Sequence, residues 1–190
     1  MGRVVSDAGR GYGPAMRILL VAALLAALAG CSETLAPPSE AAPQSPLHGH
    51  FKAASLPAQE RAGDVRIERA GLLFESGVTL FTRTLDPVRG ADLISRDGDS
   101  YAAAALGPRD LIVELRRVTE ESVPAAGQGL CGVERVQYIA LAYEGRATTF
   151  TLLAFTGEEP PGPQASRSHV CARLGYAAPQ GARTREGVVL

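Results

Sequence analysis

The chain has 190 residues, which is enough for one domain with appendages and too few for two domains of ordinary size. Its formal net charge is −1, so the composition excludes the strongly basic character that nucleic-acid binding requires. Tryptophan is absent and aromatic residues make up 5% of the chain, which argues against a site that stacks sugars or bases on aromatic faces.

An uninterrupted apolar run covers residues 18–29, directly after Arg17. A helix of that length rises about 18 Å, well short of the roughly 30 Å hydrocarbon core, so it is too short for a stable transmembrane span. A basic residue, a short apolar run and small residues after it predict a secretory signal peptide over residues 1–30. Met16 followed by Arg17 begins a compact signal peptide by itself, so Met16 is an alternative start.

The four residues that end this segment are Leu28, Ala29, Gly30 and Cys31. They resemble, at every position, the lipobox of bacterial lipoproteins. The resemblance implies cleavage between Gly30 and Cys31 and a lipid on the Cys31 thiol, which would anchor the chain to a membrane of the cell envelope. By the sorting rule of that family, Ser32 implies the periplasmic face of the outer membrane rather than the inner membrane.

Residues 31–61 combine the lipidated cysteine with a stretch rich in proline and alanine. Neither strand nor helix periodicity is present there, so we expect a disordered linker that spaces the domain from the bilayer. Two histidines flank a glycine at His48-Gly49-His50, a pattern that could begin a metal site. Without further ligands, we interpret them as part of the solvated linker.

Residues 62–180 are predicted to form a mainly β domain, and residues 181–190 a flexible tail. The clearest unit is an antiparallel hairpin in which two β-rich segments flank Gly145. Residues 101–106 are ambiguous between helix and strand, and a short helical turn is expected after Val118. The pattern predicts five to seven short strands in a small antiparallel sandwich or barrel. The β-rich segments are residues 72–74, 78–85, 111–118, 136–143, 148–155 and 169–177.

Two cysteines remain besides Cys31, namely Cys131 and Cys171. In an exported domain such a pair is normally oxidised, and the predicted topology brings both thiols to one end of the sheet. We therefore predict a structural disulfide. The competing hypothesis is a reactive thiol or a metal site that also uses His169, because His169 and Cys171 alternate along one strand.

No catalytic motif is present: the chain lacks G-x-S-x-G, H-E-x-x-H, the P-loop and G-x-G-x-x-G. Asp92, Asp97 and Asp99 cluster around a turn, where Asp and Gly serve the backbone geometry. We assign no catalytic residue, no metal ligand and no cofactor, and predict that the chain is not an enzyme. The remaining adjacent charges are interpreted as solvated strand ends: Arg116-Arg117 and Glu120-Glu121.

These features favour a lipid-anchored envelope lipoprotein whose β domain binds or supports an envelope protein or polymer, and not nucleic acid. The chain also resembles the lysozyme-inhibitor lipoproteins in being small, exported, β-rich and disulfide-bonded. That resemblance covers no continuous motif, because Ser76-Gly77 is not followed by the tyrosine of the family's S-G-x-x-Y loop. A third hypothesis is an envelope hydrolase with a site of scattered carboxylates. The oligomeric state is left open.

Overall fold

The computed structural model describes residues 45–179. The signal peptide, the lipobox with Gly30 and Cys31, and the tail from residue 180 lie outside the described residues. Within them the chain forms strands β1 to β9 and two short helices, α1 and α2. In chain order these are β1 (Gly49–Ala53), α1 (Leu56–Arg61), β2 (Val65–Glu68), β3 (Gly71–Phe74), β4 (Thr79–Thr84), β5 (Val88–Arg89), α2 (Tyr101–Ala105), β6 (Ile112–Ser122), β7 (Tyr138–Tyr143), β8 (Thr149–Thr156) and β9 (His169–Ala177).

Eight of these strands close into an antiparallel barrel. The hydrogen-bonded order is β4-β3-β2-β1-β9-β8-β7-β6, and a further pairing of β6 with β4 completes the ring. The remaining strand, β5, pairs only with the first residues of β6. The mainly β prediction is confirmed, and of its two forms the barrel is the one that the chain adopts. The predicted count of five to seven strands was too low, because β1, β2 and the short strand β5 are not among the predicted β-rich segments.

The interior of the barrel is filled with apolar side chains. Alternate residues of β7 point inward, and they meet the inward residues of β8 and β9 in one buried cluster. Phe150 lies at the centre of an aromatic group, with its ring centroid 5.0 Å from that of Phe51 and 5.0 Å from that of Tyr176. The barrel is therefore a packed core and does not enclose a channel.

A second apolar cluster lies outside the barrel, over β7 and β8. Every residue of β7 is buried, because its outward face is covered as well as its inward one. The cover includes α2, which begins at the cap Ser100 and ends at Leu106 in the left-handed conformation with φ 56°. This answers the ambiguity of residues 101–106 in favour of a helix. Tyr101 from α2 is fully buried, with its ring centroid 6.3 Å from that of Phe155.

The prediction that the disordered linker extends to residue 61 was wrong for its last part, because β1 and α1 belong to the domain. Phe51 packs into the barrel between the exposed residues His50 and Lys52. Ser55 caps α1 by accepting from the Ala58 N–H at 3.3 Å. His50 is likewise part of a strand and not of a solvated linker, and its Nε2 accepts a hydrogen bond from the Arg66 Nε at 2.9 Å.

Arg116-Arg117 and Glu120-Glu121 of β6 were interpreted as solvated strand ends, and this interpretation was wrong for Arg116. Arg116 is 2% exposed, because its position on β6 directs the side chain into the barrel. There it forms an ion pair with Glu114, with 2.6 Å between the Arg116 Nη2 and the Glu114 Oε1. No helical turn follows Val118, since β6 continues through a β-bulge to Ser122.

Candidate binding cleft

A cleft of about 520 Å³ opens on the outside of the barrel, beside the second apolar cluster. One wall is the segment that follows β5, and the other is the proline-rich loop between β8 and β9. Most of the lining is apolar, and Asp92 is its only acidic residue. The lining residues are Val88, Ala91, Asp92, Leu93, Tyr101, Pro161, Gly162 and Pro163.

Tyr101 joins the two walls of the cleft. Its hydroxyl donates a hydrogen bond to the Pro161 carbonyl oxygen at 2.9 Å, across sixty residues of sequence. Burial, and secondarily the charge of Asp92, raises the pKa of this phenol far above its ordinary value. The hydroxyl therefore stays protonated and continues to donate to the loop, so the floor of the cleft is held in place.

Backbone hydrogen bonds fasten the proline-rich loop to the opposite wall. The Gly162 N–H donates to the Ile94 carbonyl oxygen at 2.7 Å, and the Arg96 N–H donates to the Ala165 carbonyl oxygen at 3.0 Å. The prolines restrict the loop further by fixing their φ angles. The two walls of the cleft are thus joined by backbone hydrogen bonds as well as by the Tyr101 hydroxyl.

An ion pair closes the base of the same loop. Glu159 Oε1 accepts from the Arg167 Nε at 2.7 Å, and its Oε2 accepts from the Ser166 N–H at 2.9 Å. These two bonds, the one from Arg167 first, lower the pKa of Glu159 to about 2. The carboxylate is therefore ionised, and it holds both ends of the loop together across the ordinary pH range.

Asp92 gives the cleft its polar character. Its Oδ2 accepts from the Arg89 N–H at 2.8 Å, and its carbonyl oxygen accepts from the Tyr101 N–H at 3.0 Å. Leu93, 39% exposed, lies beside it in the lining. Such an arrangement suits a ligand with an apolar body and a cationic or hydrogen-bond-donating group near the carboxylate.

The two predicted cysteines lie apart from this cleft and are joined to each other. A disulfide links Cys131, in the connection between β6 and β7, to Cys171 of β9, with 5.3 Å between the Cα atoms. The predicted structural disulfide is confirmed, and the competing reactive thiol is excluded for these residues. His169 is exposed at the start of β9, and a bulge at Cys171 interrupts the alternation that was expected to put both on one face.

The acidic turn has the backbone role expected from its residue types. The Ile94 N–H donates to the Asp99 carbonyl oxygen at 2.9 Å, while the side chains of Asp97 and Asp99 are exposed. Among residues 45–179, no group of three or more His, Cys, Asp or Glu side chains is placed to hold a metal ion. Of the acidic cluster, only Asp92 belongs to the cleft.

Sequence reasoning did not find the cleft, because its walls come from segments about sixty residues apart and share no motif. The signal that could have indicated it is the run Pro160-Pro161-Gly162-Pro163, which is unusually rigid for a surface loop. Rigid loops on a stable scaffold are common positions for binding residues.

Comparison with known proteins yields no match: no family model, no curated protein and no solved structure is significantly similar to this chain. In the range that the structure describes, no helix is both long enough and apolar enough to cross a membrane.

Proposed function

We propose that this chain is a lipid-anchored lipoprotein of the bacterial cell envelope, and that its barrel is a non-catalytic domain that binds an envelope partner. The observation that carries the proposal is the Cys131–Cys171 disulfide. Structural disulfides persist in oxidising compartments such as the periplasm and are rare in the cytosol. Export of the barrel is thereby supported by a feature that is independent of the signal peptide and the lipobox.

The shape of the domain supports binding at its surface. Because the barrel interior is occupied by its own side chains, a ligand has to bind on the outside. The cleft beside Tyr101 has a volume within the range of small-ligand and side-chain sites, roughly 300–1,000 Å³. We propose that an apolar group of the partner enters this cleft and that a cationic or donor group lies near Asp92.

The anchor would keep the domain close to its membrane. Fully extended, the chain between Cys31 and Ser45 reaches at most about 50 Å. A partner on the membrane, or in the layer of polymer immediately next to it, lies within that distance. We therefore propose the periplasmic face of the outer membrane as the location, with an envelope protein or polymer as the partner.

The anchor is tested by the intact mass of the protein extracted in detergent from its native membrane. The expected mass is that of residues 31–190 plus acyl chains, less the two hydrogens lost in the disulfide. The Cys31→Ser variant serves as the control, and it is expected to lose the acyl mass while it keeps the disulfide. A wild-type mass without lipid would refute the anchor.

The cleft is tested separately by a photoreactive amino acid placed at Leu93, the exposed large apolar residue of the cleft lining. Val133, which is fully exposed and absent from the cleft lining, is the matched control position. We expect irradiation of living cells to yield one adduct of defined mass from position 93 and none from position 133. Equal labelling at both positions, or none at either, would contradict binding at the cleft.

A lysozyme-inhibitor-like activity is the second candidate, favoured by the closed β-barrel and its single disulfide among the described residues. Ser76-Gly77 forms the turn between β3 and β4 without the tyrosine of that family's loop, so we transfer no residue roles. The test is lysozyme turnover of cell walls in the presence of the purified chain. Unchanged turnover at a large excess of the chain would eliminate this candidate.

A further inference from the structure

The outward face of β3, of β4 and of the part of β6 from Arg117 onward lies outside both apolar core clusters and carries an exposed aromatic ring. Phe81 of β4 is 44% exposed, although a phenylalanine on a barrel wall would normally be covered. Its direct neighbour on β3 is Gly71, which has no side chain to shield the ring. A Cβ at Gly71 would lie 2.5 Å from the Leu80 carbonyl oxygen, so a larger residue there would force the backbone apart.

Four side chains of this face form two rows across β4 and β6. In the first row Phe81 is directly opposite Glu120, and in the second row Arg83 is directly opposite Arg117. Both arginines and Glu120 are exposed. Like charges directly opposite each other destabilise a sheet, so the arginine row is unfavourable within one molecule. No ion pair within residues 45–179 includes Arg83, Arg117 or Glu120.

The two rows are complementary to each other. A two-fold axis that lies in the plane of the face, between the rows and perpendicular to the strands, superimposes one row on the other. It places Arg117 against the partner's Glu120 and Arg83 against the partner's Phe81. The first contact is an arginine–carboxylate pair and the second a guanidinium stacked on an aromatic ring, and the symmetry makes each of them twice.

The geometry points to a second copy of this chain as the occupant of the face, in a symmetric dimer built on these four side chains. On the neighbouring strand β2, Arg66 and Glu68 border this face. Their charges are opposite and lie 3.9 Å apart, so the β2 edge of the face is close to neutral. An anionic surface would be attracted by the arginine row but repelled by Glu120. A second copy satisfies both rows, which is the reason to prefer it. The curved wall limits the contact, so the dimer belongs to the transient class of interfaces.

The test is the monomer–dimer equilibrium of the full chain carrying Cys31→Ser, which also removes the one cysteine outside the disulfide. Sedimentation equilibrium over a range of concentrations gives the dissociation constant. We expect Arg117→Glu to raise this constant at least about tenfold, since two attractive pairs become repulsive. The same change at Arg109, exposed and outside this face, is the control and leaves the constant unchanged.

The decisive variant is the charge exchange Arg117→Glu together with Glu120→Arg. Because each residue faces the other across the two-fold axis, the exchange restores both pairs, and the dissociation constant returns to within about threefold of the wild type. A chain that is monomeric at every concentration would overturn the proposal. So would a dimer that Arg117→Glu leaves unchanged, or one that the exchange does not restore. None of these outcomes depends on whether Cys31 carries a lipid.

Discussion

Replacing Arg116 with methionine is the most informative perturbation of the barrel interior. Two nitrogens of Arg116 donate to the same oxygen of Glu114, at 2.7 and 2.6 Å, while the Glu114 Oε2 is buried without a hydrogen-bond partner in the described structure. The Glu114 side chain is 12% exposed. Arg116→Met therefore leaves a carboxylate that is almost fully buried and has lost its only neutralising partner.

We expect Arg116→Met to lower the free energy of unfolding by about 3–5 kcal/mol, the usual cost of breaking a buried ion pair by removing one member. The double variant Glu114→Leu/Arg116→Met removes both charges and both desolvation costs. Its stability should fall within about 1 kcal/mol of the wild type, because the attraction between two buried charges roughly equals the cost of burying them. The double variant is thus expected to be more stable than the single one.

Urea unfolding followed by circular dichroism measures these differences, since the chain has no tryptophan to report on unfolding. The matched control is Arg117→Met, an exposed neighbour on the same strand, measured at concentrations where the chain is monomeric. It should change stability by no more than about 0.5 kcal/mol. A cost of less than 1 kcal/mol for Arg116→Met, or a double variant as unstable as the single one, would refute the reasoning.

Other parts of the fold lead to further expectations. Replacing Cys131 and Cys171 with alanine opens a loop of 40 residues and should cost about 4 kcal/mol in urea unfolding, with no further loss when a reductant is added. The bonds from Arg167 and Ser166 to the ionised Glu159 carboxylate stabilise the loop fully above about pH 4.5. This contribution is lost as the pH falls through the pKa of Glu159, about 2. The protection factors of the amides in residues 158–168 should fall over that interval, and Glu159→Gln should remove this fall. Ser55→Ala removes the α1 cap and the acceptor of the Gly175 N–H, which lies 2.9 Å from the Ser55 Oγ, so urea unfolding should show a loss of about 1–2 kcal/mol.

The strongest patterns of the sequence predicted the corresponding parts of the fold. The hairpin around Gly145 appears as β7 and β8, paired from Tyr138–Phe155 to Tyr143–Phe150. Local β-propensity and turn chemistry determine such a hairpin, so it can be recognised without tertiary information. The disulfide was predictable for a related reason, because strand pairing brings the two cysteines to one end of the barrel.

The elements that were missed depend on tertiary contacts. β1 contains a single buried apolar residue, Phe51, so its strand periodicity is hardly visible. Helix α1 has six residues, too few for a helical period, although Ser55 before Leu56-Pro57 is a recognisable cap signal. An arginine is buried only where an opposite charge lies beside it. For Arg116 that charge is Glu114, two residues away on the same strand. Because this pairing was not recognised, Arg116 was interpreted as a surface charge.

The cleft could not be predicted for the same reason. Asp92 was recognised as part of an acidic cluster, but its separation from Asp97 and Asp99 appears only in three dimensions. Tyr101 gave no signal at all, since nothing in its local sequence indicates that it reaches Pro161. Sites assembled from distant segments become visible only once the fold brings those segments together.

The barrel is closed by its first and last strands, and this determines when the chain can finish folding. β1 pairs with β9, and the Gly175 N–H reaches the Ser55 Oγ across 120 residues of sequence. Contacts of such long range are slow to form because the intervening chain has to be ordered first. During synthesis, the ring therefore stays open until β9 has emerged. For the export proposed above, this delay would keep the chain threadable until it has crossed the membrane.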